Sequence, residues 1–396
     1  EFTKEKDIMD VWFDSGSSWN GTLKDRGYKF PADLYLEGSD QYRGWFNSSL
    51  IVSVATEGTA PYKNVVSHGW VLDEHGEQMH KSKGNGVDPV KIASVYGADI
   101  LRLWVASVNY QQDVRIGDNL IKQVAEQYRK IRNTLKFISW NVSDFDPKNI
   151  AKEYEKADKY ILAKLDELVE EVTKFFDNFD FQNATSAIMT FMSSDLSAFY
   201  LDICKDILYC EGKDSVRRNQ VQSTLYKIGE TLLRILNPIL PFTMDEFNRN
   251  LPGERAKNVQ LLNSPVVSGE SRDEILKEYD LFKSFRNDVL KALEVARSEQ
   301  VIGSSQQAMV EIELTKEESA IKAIFEGMDP RSVATLFVVS GIRFNEVDAP
   351  QYEYSKVKVS KHQGHFCERC WNYEDDAIEQ EDGTFLCKRC AKVLGK

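Results

Sequence analysis

The first part of the chain alternates short apolar runs with amphipathic and polar segments. Residues 33–37, "DLYLE", predict a short buried strand, and residues 64–72, "NVVSHGWVL", predict a second one. A helix from Gln41 to about Ala55 is predicted between them. This order is typical of an α/β nucleotide-binding sheet, in which ligands bind at the carboxyl ends of strands. The stretches "EGSDQ" and "HKSKGN" follow these strands, so we expect them to face one crevice.

The middle of the chain has a helical period. Asp88-Pro89 predicts a helix start, with Asp as the N-cap and Pro in the first turn. Apolar residues share one face over residues 121–138, and residues 160–247 read as a helical bundle. The apolar stripe expected in the core of that bundle consists of Ile161, Leu165, Leu168, Val172 and Phe176.

The last third is predicted to mix helix and strand. One more amphipathic helix is expected near Leu281 to Arg297, and two strands over residues 308–314 and 334–341. A charged, strand-like tail leads from there to a cysteine-rich end.

Composition restricts the class of protein. The chain has 396 residues, is 42% hydrophobic and carries a net charge of −12, which fits a globular protein of two to four domains. No run reaches the roughly 18 apolar residues of a membrane helix, and no signal peptide precedes the first strand, so a cytoplasmic location is expected. Because the chain lacks an initiator Met and enters a motif-like stretch at once, we expect it to be the C-terminal part of a longer protein.

Four of the six cysteines form a C-x2-C-x16-C-x2-C array, namely Cys367, Cys370, Cys387 and Cys390. Zn²⁺ favours four thiolates in a tetrahedron, and a site with four protein ligands is structural rather than catalytic. A pair of redox dithiols is the alternative, but no thioredoxin-like pattern surrounds the array. Its aromatic neighbours, which could pack the small fold or stack on bases, are Phe366, Trp371, Tyr373 and Phe385. The other cysteines, Cys204 and Cys210, are expected to be buried in helices.

Residues 73–85, "DEHGEQMHKSKGN", form a glycine-rich loop with two lysines. It is not a Walker A loop, because no Gly precedes Lys81. A lysine on a mobile loop can follow charge onto a transferring phosphate, although surface loops with lysines are common.

The segment "YLEGSDQYRGWF" gives that loop a context. Glu37 ends a strand and could pair with a ligand's ammonium group, and Asp40 and Gln41 offer an acceptor and an amide at a helix start. Trp12 and Trp45 could form the walls of an apolar pocket, or be part of the core.

A basic helix face is the third candidate site. The segment from Lys122 to Lys136 carries five cations and one anion, against the acidic balance of the whole chain. Arg129, Arg132 and Lys136 share one face. That face is either solvated or contacts phosphates.

The chain resembles the second half of a class I aminoacyl-tRNA synthetase in "DVWFDSGSSW", "DLYLEGSDQYRGWFNSSL", "SHGWVLDEHGEQMHKSKGN" and "YGADILRLWVAS". Within that class it is similar to the bacterial isoleucyl-tRNA synthetases in "LSAFYLDICKDILY", "RNDVLKALEVARSEQVIG" and "CERCWNYEDDAIEQEDGTFLCKRC". The valyl and leucyl families lack this cysteine module, which argues against them.

The resemblance implies ATP-dependent activation of L-isoleucine, with Mg²⁺, and transfer to isoleucine tRNA by a monomeric enzyme that binds no membrane. It implies that Glu37 contacts the isoleucyl-adenylate, with Asp40, Gln41, Trp45 and Trp12 around it. Lys81 matches the second lysine of the K-M-S-K-S loop and is the expected catalytic residue, with Ser82 beside it at the ATP phosphates. Further implied are zinc on the four cysteines and weak tRNA contacts at Arg129, Arg132 and Lys136.

The resemblance also implies a fold and a domain order. The fold is the C-terminal half of an α/β Rossmann-type catalytic domain, then an α-helical anticodon-binding bundle, a small α+β region and a zinc module. The expected boundaries are 1–90 for the catalytic half, 91–145 for a helical connector, 146–262 for the anticodon-binding domain, 263–360 for the α+β region and 361–396 for the zinc module.

The loop departs from the family pattern. Gln78 stands where the family has its first lysine and His80 where it has serine, and neither the H-I-G-H motif nor an editing domain is present. We therefore expect the chain alone not to activate isoleucine. The alternatives are a synthetase-like tRNA-binding protein that has lost catalysis, another class I synthetase such as the valyl enzyme, and a structural zinc scaffold.

Overall fold

The computed structural model describes residues 2–396, apart from the side chain of Lys81. The chain forms two compact units. One comprises the chain up to Tyr128 together with Phe175–Asn183, and the other comprises Arg129–Lys174 and Ala184–Lys396.

The first unit contains the predicted strand–helix–strand motif. Strand β1 pairs in parallel with β2, and the register places Tyr35 opposite Val65. The helix that joins these strands packs on α1, where a side chain on Gly16 would meet the backbone of Ser48 at 2.9 Å. The helices and strands up to this point are α1 (Val11–Gly16), β1 (Ala32–Gly38), α2 (Trp45–Glu57) and β2 (Tyr62–His68), with a π-helical turn at Asn20–Lys24.

Three details of this region differ from the prediction. Strand β1 is mostly exposed rather than buried, because it pairs only with β2 and Tyr35 alone is buried along it. The predicted 64–72 strand is divided: β2 ends at His68, and β3 (Val71–Leu72) pairs in parallel with β4 (Val114–Arg115). Helix α2 begins four residues later than predicted, since Ser39–Arg43 forms a 3-10 turn.

The rest of the first unit is helical. The predicted start at Asp88-Pro89 is confirmed, because the Asp88 side chain accepts a hydrogen bond from the Val90 N–H. Tyr110 donates a hydrogen bond from its hydroxyl to the Phe179 carbonyl at 2.7 Å. The helices here are α3 (Pro89–Tyr96), α4 (Ala98–Ser107) and the first part of α5 (Asp118–Asn141).

The second unit contains the predicted helical bundle. Ile161, Leu165, Leu168 and Val172 are buried as predicted, and Phe176 is half-buried. The helix from Phe181 to Cys210 is continuous, with π geometry over Phe191–Tyr200. Its helices are α6 (Lys156–Asp177), α7 (Phe181–Thr190), α8 (Leu201–Cys210), α9 (Val216–Leu236), α10 (Pro241–Arg249) and α11 (Asp273–Ser298), with 3-10 turns at Pro147–Asn149 and Val259–Leu261.

A three-stranded sheet follows the bundle. Strand β5 (Ala308–Leu314) lies in the centre, parallel to β6 (Gly341–Phe344) and antiparallel to β7 (Ser355–Lys361). The predicted strand over 334–341 is wrong for most of its length, because α13 (Pro330–Phe337) occupies it. Asp329 caps that helix by accepting hydrogen bonds from the backbone of Arg331 and Ser332. The remaining elements here are α12 (Glu318–Ile324) and a 3-10 turn at Ser305–Gln307.

The last segment is a small module of two hairpins and a helix. One hairpin pairs β8 (His365–Phe366) with β9 (Tyr373–Glu374), and the other pairs β10 (Ile378–Glu379) with β11 (Phe385–Leu386). Helix α14 (Lys388–Leu394) closes it. Across the described part of the chain, no helix combines the length and the apolar character needed to cross a membrane.

Candidate functional site

A cavity of about 590 Å³ lies in the first unit, at the carboxyl end of β1. The 3-10 turn after β1 lines one part of it, and Trp70 and Gln78, which follow β2 in the chain, line another. The residues from the turn are Ser39, Asp40, Tyr42 and Arg43. Of the two segments that we expected to face one crevice, "EGSDQ" lines this cavity through Ser39 and Asp40, whereas "HKSKGN" is represented only by its neighbour Gln78.

Asp40 lines this cavity, whereas its neighbour Gln41 does not. The Asp40 carboxylate lies against Gly38, where a Cβ would be only 2.6 Å from Oδ1, so any larger residue there would displace the carboxylate. Gln41 donates from Nε2 to Asp40 at 3.0 Å and accepts from the Trp45 N–H at 2.9 Å. Gln41 thus caps α2, and its oxygen is already engaged.

Glu37 and the two tryptophans are placed separately. Glu37 is exposed, and among the described residues it has no hydrogen-bond or ion-pair partner. Trp45 is half-buried, stacks on Tyr35 at 4.2 Å and donates from Nε1 to the Ser15 carbonyl at 2.9 Å. Trp12 is 47% exposed, and its ring lies against Gly44. Both tryptophans pack around the start of α2, and Trp45 is the more constrained of the two.

Two side chains fasten the lysine loop. Asp73 accepts hydrogen bonds from the backbone N–H groups of His75 and Glu77 at 3.0 and 2.9 Å. Asn85 donates to Asp73 at 2.7 Å and accepts from the His80 N–H at 2.9 Å. The bond from Asn85, with the backbone bonds, lowers the pKa of Asp73 below its usual value. The loop is therefore closed at its base by one ionised carboxylate and one amide.

The charged residues of the loop are distributed unevenly. Lys83 pairs with Glu77 at 2.9 Å, so that lysine is partly neutralised within the loop. Ser82 is exposed, and Gln78 lines the cavity. The side chain of Lys81, the predicted catalytic residue, lies outside the described residues. The Arg115 guanidinium lies on Gly76, where a Cβ would be 3.0 Å from Nη2.

The basic face of α5 is only partly open. Arg132 makes a two-pronged ion pair with Glu246 at 2.8 Å for both oxygens, and this bond lowers the pKa of Glu246. The Lys136 ammonium lies 4.3 Å from the centre of the Trp140 ring. Arg129 is exposed. Of the three predicted tRNA contacts, Arg132 is thus committed to a carboxylate.

The four cysteines of the array form one cluster. Their sulfur atoms all lie within 4.8 Å of one another, and Cys367, Cys387 and Cys390 are buried. Tetrahedral coordination at a Zn–S distance of 2.3 Å requires sulfur separations of about 3.8 Å. Cys370 and Cys387 are 4.0 Å apart, so the donor set fits a closed zinc site. Two separate dithiols would not bring all four sulfurs together.

Arginines surround this cluster. Arg331 of α13 directs Nη2 at Cys370 (3.6 Å) and Nη1 at Cys387 (3.8 Å), and it pairs with Glu374 at 3.0 Å. Such contacts orient metal-bound thiolates and balance their charge. Burial raises the pKa of Glu374 to about 7, although Arg331 opposes this effect.

The cysteine module is also tied to the end of α8. Arg389 binds Asp206 through two bonds of 2.6 and 2.7 Å and Glu211 at 2.9 Å. Arg369 donates to the Cys210 carbonyl at 2.7 Å, and the Cys210 thiol lies 3.7 Å from the Arg369 carbonyl. Cys204 and Cys210 are buried as predicted, and Cys210 is also part of the cluster's core.

Packing explains most of the aromatic residues of the module. Phe366 packs on Tyr373 at 5.5 Å, and Phe385 stacks on His365 at 5.3 Å. Trp371 is 66% exposed and is the exception.

Several residues of these sites were missed from the sequence. Asp73 and Asn85 carry a local signal, since an Asp before a Gly-containing turn commonly accepts backbone N–H groups. No local sequence signal indicates the roles of Arg115, Arg331 and Arg389, because their partners lie in distant segments.

Three family models match successive parts of the chain. The tRNA synthetases class I (I, L, M and V) match residues 1–117, the anticodon-binding domain of tRNA ligase matches residues 158–313, and the zinc finger found in FPG and IleRS matches residues 364–393.

The similar curated proteins include isoleucine–tRNA ligases of Bacillus mycoides (strain KBAB4), Bacillus cereus (strain B4264) and Bacillus anthracis (strain CDC 684). Each is 47% identical over 100% of this chain. The chain spans 44% of the length of these relatives.

Two solved structures share the fold. The Agrobacterium radiobacter K84 agnB2 LeuRS, in complex with tRNA and LeuAMS, is 16% identical with a TM-score of 0.52, over 91% of this chain and 43% of its own. The Mycobacterium tuberculosis methionyl-tRNA synthetase, in complex with methionyl-adenylate, is 24% identical with a TM-score of 0.50, over 61% and 49%. The full-length match to the curated relatives and the three successive family models agree on one assignment: the chain belongs to the class I tRNA synthetases, in the isoleucine–tRNA ligase family.

Proposed function

We propose that this chain is part of an isoleucine–tRNA ligase, which activates L-isoleucine with ATP and transfers it to isoleucine tRNA. The observation that carries the proposal is the cavity shared by the turn after β1 and the lysine loop, within the region that matches the class I model. A site between strand ends is where an α/β sheet binds a nucleotide-linked ligand.

Asp40 in the cavity and the polar groups near it in the chain suit an aminoacyl-adenylate. Glu37 is an exposed carboxylate without a partner among the residues that the structure describes, so it suits the substrate ammonium. Asp40 supplies a second acceptor, while Gln41 acts through the start of α2. Trp45 and Trp12 would enclose the isoleucine side chain. Lys81 and Ser82 would meet the ATP phosphates, which carry Mg²⁺.

The altered loop argues for weak activation by this chain. Gln78 replaces a cation, and a single electrostatic donor at such a site is worth roughly 3 kcal/mol of transition-state stabilisation. In a pyrophosphate-exchange assay with isoleucine and ATP, we expect the chain alone to stay at background. Robust exchange would contradict this expectation.

The second unit would serve tRNA binding and stability. The match of residues 158–313 to an anticodon-binding domain supports contact with isoleucine tRNA. Cys367, Cys370, Cys387 and Cys390 would hold one structural Zn²⁺, which leaves no open position for chemistry. We also propose a cytoplasmic monomer with the five-part division 1–90, 91–145, 146–262, 263–360 and 361–396.

A synthetase-like tRNA-binding protein without catalysis is the second candidate. Gln78 and His80 favour it, because they change the loop that would contact ATP while leaving the second unit intact.

A filter-binding titration separates tRNA recognition from generic attraction. The purified chain is titrated with isoleucine tRNA and valine tRNA at two salt concentrations. Salt-dependent binding that prefers isoleucine tRNA supports the ligase family function, because phosphate contacts release counterions while specificity needs further contacts. Equal binding to both tRNAs would contradict specific recognition by this chain.

A further inference from the structure

The basic face of α5 ends in an exposed aromatic side chain. Trp140 is 66% exposed, which is unusual for the largest side chain. It follows Arg129, Arg132 and Lys136 at intervals of three, four and four residues, so all four share one face of the helix. Residues 129–141 carry four cations and no anion, in a chain with a net charge of −12.

A small cavity of about 210 Å³ adjoins this tryptophan. It lies between the end of α5 and α10, and its lining includes Trp140, Lys136, Ser139, Glu246 and Asn250. The cavity is below the roughly 300–1,000 Å³ of sites for drug-sized ligands, so it suits one flat ring.

The cavity offers neutral hydrogen-bonding groups as well as charged ones to an occupant. The Glu246 carboxylate forms one wall and is paired with Arg132, while the Lys136 ammonium lies over the Trp140 ring. The Ser139 hydroxyl and the Asn250 carbonyl oxygen offer neutral hydrogen-bonding groups. Asn250 already donates to the Glu246 backbone at 2.8 Å, which fixes the direction of its amide.

The geometry points to a stacking site for one unpaired RNA base at Trp140. This inference rests on the proposed function and extends it, because it assigns a base contact to a helix face otherwise known only for its charge. Bases stack on aromatic side chains in single-stranded loops, and nearby cations hold the backbone. Lys136 lies 4.3 Å from the centre of the indole ring, which leaves the rest of the exposed ring to the base.

The test compares loop binding with duplex binding. The probes are a 17-nucleotide stem-loop with the anticodon sequence of isoleucine tRNA and a fully paired RNA duplex of equal length. We expect Trp140→Leu to weaken stem-loop binding about tenfold, as loss of one base–aromatic stack does, and to leave duplex binding unchanged. Trp140→Phe should retain most of the affinity. Tyr28→Leu, at a side chain that is 65% exposed in the first unit, is the matched control and should change nothing.

Salt dependence separates stacking from charge. Trp140→Leu should weaken binding equally at every salt concentration, whereas Lys136→Gln should reduce the slope of log affinity against log salt by about 1. If Trp140→Leu binds the stem-loop like the parent chain, or loses duplex binding equally, the inference is overturned. If the parent chain itself fails to bind the stem-loop, the proposed tRNA-binding function fails, and this site with it.

Discussion

Replacing Asp158 with Asn removes one buried negative charge from the helical unit and keeps the size of the side chain. Asp158 is 0% exposed. Its Oδ1 accepts from the Tyr200 hydroxyl at 2.7 Å and from Arg217 Nη2 at 3.0 Å. Its Oδ2 accepts from Arg217 Nη1 and from the Glu155 N–H. The variant therefore leaves the Arg217 cation without its closest counter-charge.

The expected destabilisation follows from what remains around Arg217. Burial lowers the pKa of Arg217, and Asp158 more than reverses that effect. Removing one partner of a buried ion pair costs about 3–5 kcal/mol. Glu155 stays 3.1 Å from Arg217 Nε, but it is 50% exposed, so it compensates only in part. We therefore expect Asp158→Asn to lower the free energy of opening of the helical unit by about 3 kcal/mol. Since 1.36 kcal/mol corresponds to a factor of ten, the equilibrium constant for opening should rise roughly 100-fold.

Thiol labelling of Cys204 measures this opening directly. Cys204 is 0% exposed and lies one helical turn after Tyr200, so a reagent reaches it only when the bundle opens. Peptide mass spectrometry follows its labelling under native conditions, and we expect a roughly 100-fold faster rate in Asp158→Asn.

An ion pair on the same helix provides the control. Glu170 pairs with Arg272 at 2.5 Å, but its side chain is 52% exposed. Such a pair is worth about 0–1 kcal/mol, so Glu170→Gln should raise the labelling rate less than about fivefold. A rate for Asp158→Asn within about threefold of the parent chain would refute the reasoning, because the buried pair would then behave like a surface one.

Three further outcomes are expected. Chelation should release one Zn²⁺ per chain, as measured by mass spectrometry. It should also make five thiols reactive, the four of the array and Cys210, because the module cannot fold without its metal. If only four thiols became reactive, Cys210 would still be covered. Asn85→Ala should speed amide hydrogen exchange in the lysine loop roughly tenfold, since three hydrogen bonds are lost. An unchanged exchange rate would contradict the conclusion that Asn85 stabilises the loop. Burial lowers the pKa of His362 from its usual 6.5, with Arg343 adding to this effect and Asp375 opposing it. Below pH 6.5 only the unfolded chain then gains a proton there, so stability falls by at most about 1.4 kcal/mol at pH 5.5 and is unaffected above pH 7.5. His362→Gln should lose that part of the pH dependence of thermal unfolding, and an unchanged profile would contradict it.

Features that depend on residues close together in the chain were predicted correctly, whereas contacts between distant segments were not predicted. The start at Pro89 and the strand over 308–314 were predicted correctly, because a capping Asp and a period of two are readable within a few residues. The predicted strand over 334–341 was wrong, because a short apolar run fits either a strand or a buried helix. The helix cap at Asp329, which would have distinguished the two, lies outside the run.

The same distinction applies to the candidate sites. The cysteine spacing indicated the cluster, and the order of strands and polar segments indicated that the turn after β1 borders a cavity, although Gln78 and not residues 80–85 lines it from the lysine loop. The resemblance supplied the roles of individual residues, which neither spacing nor period could give. Nothing near Arg389 in the chain indicates Asp206, which lies 183 residues away, because that contact exists only once the module docks.

The placement of arginine explains how an acidic chain can keep a locally basic surface. Four arginine side chains are at most 19% exposed, and each binds a carboxylate: Arg217, Arg218, Arg255 and Arg389. A planar guanidinium suits such buried, two-pronged pairs better than an ammonium does. The neighbouring carboxylates compensate these buried arginine charges, which therefore project little field into solvent, so the net charge of −12 does not describe any single surface. The local charge does, and the face of α5 that ends at Trp140 combines three cations, Arg129, Arg132 and Lys136, with an exposed ring. A search for nucleic-acid contacts in this family should therefore begin from local charge and exposed aromatic area, not from the isoelectric point.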